Sequence, residues 1–133
     1  MWICLNNAFL SIVEPAAHDP KKAGLDVLLV RARVKGHIES VFPKAKVVTI
    51  AGRDYQFRAY INRLDVSEAI AARIESIHYP NFKNSVRNDL LHRAFARVWH
   101  VMADLQLIPP YETRPRRRNK ELFDDGDSDR FFF

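Results

Sequence analysis

Apolar residues recur with strand and helix periods along the first 107 residues of the chain. Strand patterns occupy residues 2–13, 25–34, 45–51 and 55–62. The segment 2–13 is largely apolar on both faces, which predicts a strand that is covered on both sides. The first two strands are close enough in sequence to form an antiparallel pair.

Helical patterns separate and follow these strands. Residues 36–42 form a short helical segment. Asp65, with Glu68 three residues later, has the arrangement of a capping box and predicts a helix that continues to residue 77. The strongest pattern is an apolar stripe over residues 86–107, which predicts a long final helix. The stripe residues expected to be core are Leu91, Phe95, Val98, Trp99 and Met102.

The order of elements is ββαββα, followed by the long helix. Moving the first strand to the end of this order gives βαββαβ, the order of the ferredoxin-like fold. We therefore expect an α+β domain over residues 1–110 with a four-stranded antiparallel sheet, arranged as a circularly permuted ferredoxin-like sandwich. Right-handed crossovers predict the sheet order 1-2-4-3. Residues 111–133 are expected to be a flexible charged tail.

The composition is that of one globular domain. The chain has 133 residues, of which 47% are apolar and 28% charged. No apolar run approaches the roughly 18 residues that span a bilayer, and the start of the chain does not resemble a signal peptide. Cys4 is the single cysteine, which excludes an intrachain disulfide and a cysteine-based zinc site. We expect a cytoplasmic protein.

The net charge of +5 is concentrated in the predicted domain. Residues 1–110 contain 15 Lys and Arg against 10 Asp and Glu, whereas residues 111–133 contain six of each. An excess of positive charge on a small domain favours a polyanionic partner, although it also serves solubility.

Basic residues of the predicted strands are candidates for contact with nucleic acid. Arg31 and Arg33 share one face of their strand, and Arg58 shares a face with Tyr60. If these faces coincide, the sheet carries arginine and tyrosine, which suits contact with phosphates and stacking on bases. The predicted nucleic-acid-binding residues are Arg31, Arg33, Arg58 and, on the final helix, Arg93 and Arg97. The competing interpretation is that the final helix buries its stripe on this same sheet face.

A second candidate site lies in the connection before the final helix. Tyr79 and Phe82 could stack on a ligand while Lys83 contacts an anion, or the two aromatic rings could fill the gap between helices. The candidate ligand residues are Arg53, Asp54, Tyr79, Asn81, Phe82 and Lys83. Known catalytic and nucleotide-binding motifs such as HExxH, GxSxG and the Walker A loop are absent from the sequence, so we assign no catalytic residue, metal ligand or cofactor.

The string LFDDGDSDRFFF resembles the acidic, aromatic-ended C-terminal tips of bacterial and phage single-stranded-DNA-binding proteins. Arg130 interrupts the acidic residues, and three phenylalanines replace the Pro-Phe ending of that family. The resemblance implies that the tail docks on a partner protein. The docking residues would be Asp124, Asp125, Phe131, Phe132 and Phe133.

The strings MWICLNNAFLSIV, LLVRARVKGHIESVFP, RDYQFRAYI and YPNFKNSV resemble a group of small bacterial and phage proteins to which no established activity is attached. This resemblance implies a compact intracellular domain and identifies no catalytic residue.

Three classes of function follow from these features. The first is a non-enzymatic module that binds nucleic acid or a nucleoprotein complex through a basic surface. The second is a protein-interaction factor, such as a phage or bacterial inhibitor of a host defence complex. The third is a small enzyme or nucleotide binder centred on residues 79–83. The missing catalytic motifs favour the non-enzymatic classes.

Overall fold

A computed structural model describes residues 1–22 and 26–114 of the chain. The chain divides into two units, residues 1–96 and residues 97–133. The first unit contains the whole sheet and most of the helices, and the boundary falls inside the last helix.

The first unit is an α+β structure with a five-stranded antiparallel sheet. The strands are β1 (Trp2–Leu5), β2 (Ala8–Val13), β3 (Val27–Ala32), β4 (Val48–Thr49) and β5 (Phe57–Asn62). They are arranged in the order β1-β2-β3-β5-β4. The helices are α1 (His37–Val41), α2 (Arg63–Glu75), α3 (Phe82–Ser85) and α4 (Asp89–Ala103), and a short 3-10 turn spans Pro20–Lys22.

The predicted α+β class is confirmed, but the four-stranded ferredoxin-like arrangement is not reproduced exactly as predicted. The predicted strand 2–13 is a hairpin, because Asn6 and Asn7 form a turn and Leu5 pairs with Ala8. Asparagine favours turns since its side chain hydrogen-bonds to nearby backbone. Apolar residues flank this turn on both sides, so the strand pattern runs through it. Strands β2-β3-β5-β4 follow the predicted order 1-2-4-3, and β1 adds a fifth strand at one edge.

The main hydrophobic core lies on one face of the sheet, under α1 and α2. Alternate residues of the central strands point to this face, and both helices contribute apolar side chains to it. Its buried members include Leu10, Ile12, Val30, Ala32, Ile38, Val41, Ala59, Ile61 and Val66. The opposite face of the sheet therefore has no cover from α1 or α2.

Two helix starts differ from the predicted ones. Helix α2 follows β5 directly, and its N-cap is Asn62, whose side chain accepts a hydrogen bond from the backbone N–H of Leu64 at 2.9 Å. The final helix begins at Asp89, three residues after the start of the predicted stripe, because the short helix α3 precedes it. The side chain of Asn88 accepts a hydrogen bond from the backbone N–H of Leu91 at the start of α4.

The prediction of a buried stripe on the last helix is correct for only two of its five residues. Leu91 and Phe95 are buried and Trp99 is half-buried, whereas Val98 and Met102 are 49% and 55% exposed. Helix α4 ends at Ala103, so the apolar pattern extends beyond the helix. Within the described ranges, no helix is long and apolar enough to cross a membrane.

Candidate nucleic-acid interface

A row of side chains crosses the sheet on the face opposite the main core. The strand register places Ser11 opposite Arg31, and Arg31 opposite Arg58. Trp2 extends the row to one edge of the sheet and Val48 to the other. The two faces predicted to carry Arg31 and Arg58 therefore coincide, and we call this surface the arginine face.

The two facing arginines are held close together although their charges repel. Arg31 and Arg58 are directly opposite on neighbouring strands, an arrangement that is unfavourable for like charges. The pKa of Arg58 is lowered, first by desolvation and then by the charges of Arg31 and Arg53. An anion bound between these guanidinium groups would relieve the repulsion.

Tyr55 orders the arginine face from the connection between β4 and β5. Its ring is only 3% exposed, and the guanidinium carbons of Arg31 and Arg33 lie 4.6 Å and 4.3 Å from the ring centroid. Both distances are within the range of cation–π contacts. The backbone carbonyl of Tyr55 also accepts a hydrogen bond from Arg58 Nε at 3.1 Å. One residue thus fixes three arginine side chains.

Carboxylates neutralise only part of this charge. Arg33 pairs with Asp54 at 2.7 Å, and both side chains are at least half exposed, so the pair contributes little to stability. Within residues 1–22 and 26–114, neither Arg31 nor Arg58 has an ion-pair partner. Arg31 Nη2 donates to the buried Ser11 Oγ at 2.8 Å, while Arg31 Nε is buried and has no hydrogen-bond partner among the described residues.

Tyr60 places an aromatic ring beside these arginines. It follows Arg58 by two residues in β5 and therefore lies on the same face. Its hydroxyl donates to Asp19 Oδ2, and this hydrogen bond raises the pKa of Tyr60 and lowers the pKa of Asp19. The ring remains 37% exposed, which leaves part of it open to stacking.

A small apolar cluster covers another part of the arginine face. Phe9 lies two residues from Ser11 on β2 and, like Phe82 of α3, packs against the buried side chains of Val86, Leu91 and Phe95. The Phe82 and Phe95 ring centroids are 5.3 Å apart. Within the described residues, the cluster contains no side chain from β3 or β5. At Phe9, therefore, side chains of the final helix cover this face of the sheet, as in the competing interpretation.

The two predicted arginines of the last helix are both exposed. Arg93 belongs to the first unit and Arg97 to the second. Neither forms an ion pair among the residues that the structure describes.

The candidate ligand residues do not form one group. Tyr79 and Asn81 line a cleft in the first unit, but Phe82 packs in the apolar cluster instead. Arg53, Asp54 and Lys83 do not line that cleft, and Asp54 pairs with Arg33 on the arginine face. The predicted docking residues Asp124, Asp125, Phe131, Phe132 and Phe133 lie outside the described residues.

Tyr55 is the important residue that the sequence pattern assigned to no site. Extending the alternation of β5 backward would place it with Phe57 on the core face. The strand begins only at Phe57, however, and the chain bends before it, so the ring lies against Arg31 and Arg33 instead.

Comparison of the chain with protein-family models, with curated proteins and with solved structures finds no match in any of the three. Groups of three or more side chains that could hold a metal ion are also absent from residues 1–22 and 26–114. The arrangement of the arginine face therefore carries the functional argument by itself.

Proposed function

We propose that the protein is a cytoplasmic, non-enzymatic module that binds nucleic acid, by itself or in a nucleoprotein complex, through the arginine face. The observation that supports this proposal is the pair Arg31 and Arg58, which face each other on neighbouring strands and form no ion pair within residues 1–22 and 26–114. Placing two like charges directly opposite each other costs stability in the free protein and suits a phosphate backbone.

The preferred ligand in this proposal is a single strand. Arg31, Arg33 and Arg58 contact phosphates, while the exposed part of Tyr60 stacks on a base. Trp2 lies in the same row of the sheet and is 64% exposed, which offers a second ring at the edge. Stacking and phosphate contacts do not distinguish strongly between bases, so we expect similar affinities for single strands that have the same length and different base sequences.

Arg93 and Arg97 are expected to add to the binding as exposed charges on a helix. They are four residues apart, about one helical turn, and so project from similar sides of α4. Their contribution is electrostatic and independent of sequence.

Fluorescence anisotropy with a labelled single strand and a labelled duplex, at about 50 mM salt, tests the proposal. The informative variant is Arg33→Gln combined with Arg58→Gln, because neither side chain is fully buried. Lys44→Gln is the matched control, since this exposed lysine follows α1, which packs on the other sheet face. We expect weaker binding from the arginine variant and unchanged binding from the control. Absence of binding to both probes at tens of micromolar wild-type protein would exclude the proposal.

The second unit favours a second candidate function, that of a protein-interaction factor. Large apolar side chains of α4 and the segment after it are exposed in this unit: Val98, Val101, Met102, Leu105, Leu107 and Ile108. Exposed apolar groups of this kind are typical of protein contacts. Binding to a partner protein that persists at high salt would favour this function over nucleic-acid binding.

We also propose the finer fold assignment, in which the elements from β2 to α2 form a circularly permuted ferredoxin-like core and β1 is an added edge strand.

A further inference from the structure

An open cleft of about 950 Å³ lies where three connections of the first unit meet. Asn6 and Asn7 of the β1–β2 turn line one part of it. Residues 34–36, between β3 and α1, and the first residue of α1, His37, line a second part, and residues between 78 and 91 line the third. Small-molecule sites commonly occupy about 300–1,000 Å³, so this cleft has room for a ligand of nucleotide size.

The permanent charges that line this cleft are positive. Lys35 and Arg87 are both exposed, and neither has an ion-pair partner within residues 1–22 and 26–114. Among the described residues, no Asp or Glu lines the cleft. The electrostatic field in the cleft therefore favours an anion.

Five of the seven asparagines in the chain line the cleft: Asn6, Asn7, Asn81, Asn84 and Asn88. Asn81 and Asn88 each accept a backbone N–H hydrogen bond through Oδ1, at 3.2 Å and 3.0 Å. Asn7 Oδ1 accepts one from the Arg73 guanidinium at 2.9 Å. These donors have no lone pair to offer, so the atom that they contact must be the carboxamide oxygen. The three side chains are left with their N–H groups, which are donors.

His37 offers a further donor. The backbone N–H of Phe9 donates to His37 Nδ1 at 3.2 Å, so a neutral ring carries its proton on Nε2. Tyr79 is half-buried beside Phe82, with ring centroids 6.2 Å apart, and provides an aromatic wall. The cleft thus combines positive charge, an excess of hydrogen-bond donors and the phenol ring of Tyr79.

We propose that this cleft binds a nucleotide phosphate, with Lys35 and Arg87 on the phosphate oxygens and Tyr79 against the base. The asparagine N–H groups and His37 Nε2–H donate to the remaining acceptors of the ligand. The ligand is either a free mononucleotide or the 5′-phosphorylated end of a strand, which present the same chemistry. The site does not depend on the proposed function, because no residue of the arginine face lines the cleft.

Isothermal titration calorimetry with adenosine monophosphate tests the free-nucleotide form. We compare the wild type with Lys35→Gln combined with Arg87→Gln, and with Lys44→Gln as the control outside the cleft. We expect saturable binding by the wild type and the control. In the double variant we expect the affinity for adenosine monophosphate to fall by about tenfold or more. The two substitutions are at exposed positions, so the Lys35/Arg87 double variant should keep the wild-type melting temperature. An unchanged melting temperature shows that weaker binding comes from lost ligand contacts and not from a loss of folding.

Two octamers of thymidylate, one with a 5′-phosphate and one with a 5′-hydroxyl, test the strand-end form. Tighter binding of the phosphorylated octamer that depends on Lys35 and Arg87 supports a strand end. Arg58→Gln should leave binding of adenosine monophosphate unchanged. The experiment therefore gives different results if the proposal for the arginine face is wrong and if the proposal for the cleft is wrong. The proposal is wrong if the wild type and the Lys35/Arg87 variant behave alike with adenosine monophosphate and with both octamers.

Discussion

The contact between Tyr55 and Arg33 allows the organisation of the arginine face to be measured directly. The Arg33 guanidinium carbon lies 4.3 Å from the ring centroid, and that of Arg31 lies 4.6 Å from it. A cation–π contact contributes about 0.5–1 kcal/mol at an exposed site and more when it is desolvated. Tyr55→Leu should therefore lose about 1–2 kcal/mol from these two contacts, in addition to any loss of packing.

A double-mutant cycle isolates the Arg33 part of this loss. The variants are Tyr55→Leu, Arg33→Gln and the combination, each unfolded in urea and followed by far-UV circular dichroism. The ion pair of Arg33 with Asp54 is lost whenever Arg33 is changed, so its contribution cancels in the cycle. We expect a coupling free energy of about 0.5–1 kcal/mol between Tyr55 and Arg33. A coupling below about 0.3 kcal/mol, the usual error of additivity, would refute the idea that Tyr55 orders the arginines.

Two further predictions concern the small apolar cluster and the half-buried His37. Phe95→Ala should destabilise the protein by about 3–5 kcal/mol, because Phe95 is buried. Met102→Ala should cost less than about 1 kcal/mol, because Met102 is exposed. Similar losses of unfolding free energy for the two variants in urea would contradict the assigned cluster. Burial lowers the pKa of His37 from its ordinary value of 6.5, so the unfolded chain binds a proton there more readily than the folded protein does. The free energy of unfolding should therefore decrease as the pH falls below 6.5. The decrease should be less steep in His37→Gln, whose side chain can still accept a hydrogen bond from the Phe9 N–H. An equal dependence of the unfolding free energy on pH in the two proteins would show that His37 does not cause it.

The sequence pattern located the central strands of the sheet and the arginines on them, because period-two alternation is a local property of the chain. The predicted strand 45–51 is much shorter in the structure, where only Val48–Thr49 pair with β5. Arg31 and Arg58 could each be assigned to a face of their strand. Which faces coincide depends on the register between β3 and β5, and this is a long-range property. The pattern also ran through Asn6 and Asn7, because two apolar strands joined by a short turn resemble one longer strand.

Helical periodicity identified the last helix but overstated what it buries. A stripe shows which side of a helix is apolar, and it does not show how much neighbouring surface is available to cover it. Leu91 and Phe95 have partners in Phe9 and Phe82, while Met102 remains exposed.

The cleft could not be predicted from local patterns. Asn6, Lys35 and Arg87 are separated by dozens of residues, and only the folded connections bring them to one site. The sequence did single out residues 79–83, and Tyr79 and Asn81 of that segment line the cleft.

The salt dependence of single-strand binding tests the central claim most directly. Each neutralised phosphate of a single strand contributes about 0.7 to the slope of log K against log salt concentration. If Arg33 and Arg58 each contact one phosphate, the variant Arg33→Gln with Arg58→Gln should depend less steeply on salt than the wild type. The magnitude of its slope should be smaller by about 1.4. Lys44→Gln should retain the wild-type slope. Equal slopes for the wild type and the arginine variant would show that the arginine face does not contact the strand.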